Sequence, residues 1–143
     1  MQYAVPILLV AVLSASGQDR QAKGPPSPSL IERLEKTLKG QDRPFAIVIQ
    51  IHIAPESAER FEKVAAFVAR ASRNDPGCQD YQFHRDLEKP GHYTLVEHWT
   101  GLAALQKHLE QPHTKQIQAL FAELATTPRT AEIFVPVSGP NGR

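Results

Sequence analysis

Cysteine is nearly missing from this chain. Cys78 is the only one in 143 residues, so no disulfide can close within the chain and no thiolate cluster can hold zinc. An excess of one charge is missing too. The net charge is +1 with 22% charged residues, which leaves no field strong enough to gather nucleic acid or acidic lipid. No apolar run reaches the ~20 residues that a bilayer-spanning helix needs, so no stable membrane insertion is expected. There is no phosphate-cradling glycine loop and no G-x-S-x-G elbow, and Cys78 has no histidine beside it in sequence. Cys78 reads most simply as a small apolar residue opening a strand.

What is present divides into ends and a core. Ala4 to Leu13, "AVPILLVAVL", is followed by "SASG" and then by charged sequence from Asp19. That order is the one found in secretory signal peptides, although no Lys or Arg precedes the run. It predicts removal of residues 1–17 and export to the periplasm or the exterior. Residues 18–44 read as a Pro-rich linker carrying one short amphipathic helix over Ser29 to Lys39. Ser29 and Glu32 form an S-x-x-E capping box, Leu30, Ile31, Leu34 and Leu38 share a stripe, and Gly40 ends it. Such a helix packs on the domain surface or on a partner. Residues 138–143 read as a flexible tail.

Residues 45–137 carry the periodic core. Phe45 to Ile53 alternates, with Phe45, Ile47, Ile49, Ile51 and Ile53 on one face. Pro55 opens a helix whose inner positions are Phe61, Val64, Ala65, Val68 and Ala71, ended by Asp75-Pro76-Gly77. Strands follow over Cys78 to Leu87 and Tyr93 to Thr100, joined by the turn "EKPG". After Gly101 a second helical region is broken at Pro112, and Ala131 to Val137 closes the domain as a last strand. The order β-α-β-β-α-β predicts an α+β, ferredoxin-like subunit with an antiparallel sheet and both helices on one face. The other face, carrying Val48, Gln50, His52, Gln82, His84, Val96, His98 and Phe134, is too mixed for a core and too apolar for free solvent. It predicts a homodimer built by packing two sheets.

One residue breaks the pattern. Tyr93, Leu95, Glu97 and Trp99 share the helix-facing side of their strand, and a carboxylate buried there needs a partner. His108 and His113 fall on the inner stripe of the broken helix, so a Glu97–His108 or Glu97–His113 hydrogen bond is the expected answer. One reading of the cluster is a buried polar clasp. The other is a pocket with Trp99, Tyr81, Phe83 and Tyr93 as aromatic walls. A metal centre of two histidines and a carboxylate is disfavoured, because the histidines are five apart with a proline between them.

"DPGCQDYQFHRDLEKPGHYTLVEHWTGLAALQKHLEQPH" resembles the antibiotic biosynthesis monooxygenase domain family. The resemblance rests on Pro76, Gly77, Cys78 and Tyr81, then Tyr93, Glu97 and Trp99, then Ala104, Leu105, His108, Pro112 and His113. It covers about Phe45 to Val137 and implies a dimeric α+β barrel. It also implies oxidation of a small electron-rich aromatic such as a quinol by O2, with neither metal nor flavin as cofactor. On that likeness His108 or His113 is the base, Glu97 orients it, and Trp99 with Tyr81 stacks the ring, within the aromatic walls that Phe83 and Tyr93 complete. Haem-binding relatives would use one of the histidines as an iron ligand, but their first-strand asparagine is absent here. The alternative from a different class is a non-catalytic small-molecule-binding or stress-response dimer.

Overall fold

A computed structural model describes residues 29–137. The expected signal peptide, the linker up to Pro28 and the tail lie outside the described residues. The elements run α1 (Leu30–Leu38), β1 (Phe45–His52), a 3-10 turn (Pro55–Ser57), α2 (Ala58–Ser72), β2 (Cys78–Arg85), β3 (His92–Trp99), α3 (Leu102–Leu109), α4 (Pro112–Leu124) and β4 (Thr130–Phe134). The four strands pair antiparallel in the order β2-β3-β1-β4, the ferredoxin-like topology.

The alternation in β1 works as read. Phe45, Ile47 and Ile51 are buried against the helices, and Ala46, Val48 and Gln50 face the other way. Ile49 points inward yet is only half-buried. It lines a cavity between the sheet and the helices. On β3 all of Tyr93, Leu95, Glu97 and Trp99 are buried, so the strand register is the expected one. The inner stripe of α2 is Phe61, Ala65, Val68, Ala69 and Ser72, rotated slightly from the predicted set so that Val64 and Ala71 are half-buried.

Several boundaries differ from expectation. Strand β2 ends at Arg85 rather than Leu87, because Asp86 turns the chain by accepting the backbone N–H groups of Glu88 and Lys89. Strand β4 ends at Phe134 rather than Val137, where pairing with β1 stops at Ala46. Pro112 does more than bend a helix. It occupies the first turn of a separate helix, α4, where a missing N–H costs nothing.

Helix α1 begins at the predicted capping box, with both reciprocal hydrogen bonds made between Ser29 and Glu32. Its cap at the other end is Lys39, in the left-handed conformation at φ 50°, followed by Gly40 at φ 76°. Leu34 and Leu38 join the hydrophobic core, so α1 packs on its own domain. Among the described residues no helix is long and apolar enough to cross a membrane.

Candidate active site

Glu97 sits in the middle of the sheet, opposite Ile47 on β1 and Tyr81 on β2, and is 5% exposed. Its partner is not a histidine. Trp99, two residues along the same strand and on the same face, donates its indole N–H to Glu97 Oε2 at 2.8 Å. One neutral donor offsets little of the cost of burying a charge. Burial therefore pushes the Glu97 carboxyl up to about 7, with the Trp99 hydrogen bond acting in the opposite direction. Near neutral pH this carboxyl holds its proton for a large share of the time.

The two histidines meet a different carboxylate. His108 Nδ1 lies 2.7 Å and His113 Nε2 lies 2.9 Å from the same oxygen, Oδ2 of Asp75. Asp75 stands in the turn between α2 and β2, which sequence reasoning read only as a helix stop. Glycine makes the approach possible. Gly77 has φ 84°, and a Cβ there would collide with Ala104 of α3 and with Thr100. Thr100 also donates its backbone N–H to the Gly77 carbonyl at 2.9 Å, which holds the turn against the start of α3. A carboxylate beside the D-P-G-C turn was the available signal, but nothing in one dimension aims it at the histidines.

His108 is 2% exposed, and burial lowers its pKa, with the Asp75 contact opposing. A neutral ring that donates from Nδ1 to Asp75 leaves Nε2 free to accept. The Thr114 hydroxyl lies 3.2 Å from that nitrogen.

A cavity of about 430 Å³ opens between the sheet and the helices, a size within the ~300–1,000 Å³ usual for small-molecule sites. Ile49 and Leu95 form its floor, and Tyr81, Glu97, His108 and Thr114 turn polar atoms or rings toward it. Leu30 and Ile31 of α1 and Arg129 complete the wall. Of the seven predicted site residues, the cavity gathers Glu97, His108 and Tyr81. His113 does not line the cavity; it bonds to Asp75, and its ring centroid lies 5.6 Å from that of His108. Trp99 is fully buried, its ring centroid 4.7 Å from that of His108, and supports the site from beneath. Phe83 and Tyr93 border a separate groove of about 530 Å³ against α2, together with Phe61 and Arg73. Tyr93 donates its hydroxyl to Glu62 there at 2.8 Å, and burial pushes its phenol up to about 12. Sequence reasoning missed Asp75, Thr114 and Arg129.

His108, His113 and Asp75 offer donor atoms within 4.8 Å of one another, the grouping of a candidate metal site. Ligands at 2.0–2.2 Å around a tetrahedral zinc stand roughly 3.3 Å apart. The observed 2.7 and 2.9 Å are hydrogen-bond lengths. The arrangement fits one carboxylate accepting two imidazole N–H groups, and opening it for an ion would break both bonds.

Comparison with known proteins agrees with this architecture. The family model described as antibiotic biosynthesis monooxygenase matches residues 44–120. An uncharacterized protein of Synechocystis is 29% identical over 109 residues, 76% of this chain and 71% of its own. The solved structure of Rv0793 from Mycobacterium tuberculosis has a TM-score of 0.62 at 21% identity, covering 68% of this chain and 99% of its own, a likeness of fold alone. A structure from Caulobacter crescentus gives a TM-score of 0.63 at 26% identity, covering 68% of this chain and 92% of its own. Helix α1 precedes the segment that the family model matches.

Proposed function

The chain belongs to the antibiotic biosynthesis monooxygenase family, and from that premise we propose that its cavity oxidises a small electron-rich aromatic, such as a quinol, with O2 and without a resident cofactor. The observation that carries the proposal is that His108, backed by Asp75, and Glu97 face one largely apolar cavity. His108 Nε2 takes the proton of a ring hydroxyl, and Asp75 stabilises the imidazolium that forms. The proton-bearing Glu97 carboxyl donates a hydrogen bond to the oxygen where negative charge develops. The electron-rich phenolate then reduces O2.

For hydroquinone the balance closes within the substrate. One oxygen atom enters the ring, the other leaves as water, and oxidation to the hydroxyquinone supplies all four electrons. No external reductant is required. In this role Tyr81 and the aliphatic wall exclude water, while Trp99 fixes the Glu97 carboxyl from below.

Oxygen uptake with a panel of hydroquinones tests the proposal. His108→Ala should lower kcat/KM by about 10²–10⁴, the usual contribution of a general base. His113→Ala should act more weakly, through Asp75. Equal turnover by wild type and His108→Ala, with both folded, would overturn the assignment of the base, and no oxygen uptake by folded wild type would favour a non-catalytic binding dimer.

A further inference from the structure

Among the described residues Arg129 is the one Lys or Arg lining this cavity, and it enters from the segment between α4 and β4. Its guanidinium carbon lies 4.3 Å from the centroid of the Phe121 ring, which holds the planar group against α4. None of the ion pairs or side-chain hydrogen bonds among the described residues involves it. By contrast Arg60 pairs with Glu123 and Arg85 with Glu62. Arg129 is exposed as a residue, partial burial of its guanidinium lowers its pKa, and its charge still reaches the buried Tyr81 phenol. A guanidinium fork in a cavity wall with no carboxylate bonded to it suits recognition of an oxyanion.

We propose that Arg129 is the anion-recognising group of the cavity, and that the ligand is a hydroxylated aromatic carrying a carboxylate rather than a neutral quinol. The proposal rests on the reading of this cavity as the aromatic site and narrows the ligand within it. The flat ring lies over Ile49 and Leu95, a ring hydroxyl meets His108 and Glu97, and the carboxylate meets Arg129. The neighbouring charges set the selectivity. Glu97 carries a proton for much of the time near neutral pH, so the cavity presents one permanent cation against a muted carboxyl. A carboxylate is accepted there, and a cationic ring is rejected.

Anaerobic calorimetric titration tests this without any turnover. The probes are 2,5-dihydroxybenzoate and hydroquinone, the same ring with and without the carboxylate. Wild type should bind the carboxylated ring at least ten-fold more tightly. Arg129→Gln should remove that preference and leave hydroquinone affinity within two-fold, while Arg129→Lys should keep part of it. Equal affinity of the two probes for wild type, or no binding of either, would overturn the proposal. So would Arg129→Gln weakening both probes alike, since that is the mark of lost packing over Phe121. A retained preference with no oxygen uptake would leave Arg129 as the anion group while removing the oxidative reading.

Discussion

At the residue scale the chemistry turns on one proton. Glu97 is a buried carboxyl raised from its ordinary value to about 7, chiefly by burial. A folded-state pKa above the unfolded one means that stability is fully present below about 4.5 and is lost as pH rises toward 7. The loss is on the order of 3 kcal/mol. Glu97→Gln keeps an acceptor for the Trp99 indole and cannot ionise. The variant should therefore match wild type in denaturant titration at pH 4 and exceed it above pH 7. His108 titrates in the opposite sense, but it is present in both proteins and cancels in the difference. The same substitution bears on catalysis, since Gln retains a donor toward the cavity. Wild-type activity should fall above pH 7 as Glu97 ionises, and Glu97→Gln should lack that alkaline fall. A stability difference independent of pH would show that Glu97 titrates alike in the folded and unfolded chains, and would remove the burial-raised carboxyl.

At the scale of elements, α1 precedes the segment that the family model matches. Its sequence carries its own start signal, the capping box, but its worth comes from where its stripe lands. Leu34 is fully buried, and Leu34→Ala should cost about 2–5 kcal/mol by the loss of core packing. Ile31 is half-buried and faces the cavity instead. Ile31→Ala should change stability little and widen the cavity mouth, raising affinity for two-ring phenols relative to one-ring phenols in titration. Unchanged ring preference would show that α1 covers the cavity without shaping what enters. The gap between α3 and α4 matters for a similar reason. Pro112 restarts the chain as a new helix, and the restart brings His113 to Asp75 beside His108.

For the whole molecule, the outer sheet face is the open surface. Val48 and Val96 stand opposite each other at its centre, Gln50 accepts a hydrogen bond from the Thr94 hydroxyl at 3.0 Å, and Phe134 is 47% exposed. We propose that two copies pack through this face, as the composition of the strands suggests. His52 is a poor probe of it, because its Nδ1 is within 2.9 Å of the Thr127 hydroxyl and its loss would free that loop. Val96→Lys is cleaner, since it sets two ammonium groups near a symmetry axis without touching the core. It should weaken association at least ten-fold in sedimentation, or about 1.4 kcal/mol. A wild-type monomer at micromolar concentration would rule the interface out.

Periodicity along the chain determined which faces of β1 and β3 are buried, where α1 starts, where Pro112 interrupts the helical region, and the order of elements. Those features depend on neighbours a few residues away, and alternating or helical spacing records them directly. Even the bond from Trp99 to Glu97 was within reach, because residues two apart on a strand share a face. The partner of the histidines was not. Asp75 lies 33 and 38 residues from His108 and His113, and only the glycine turn against α3 brings its carboxylate to them. The placement of Arg129 in the cavity, and of Phe83 and Tyr93 outside it, was likewise decided by how the helices settle on the sheet. A sequence pattern names the face a side chain occupies, while hydrogen bonds and cavities depend on distances of a few ångströms that packing alone sets.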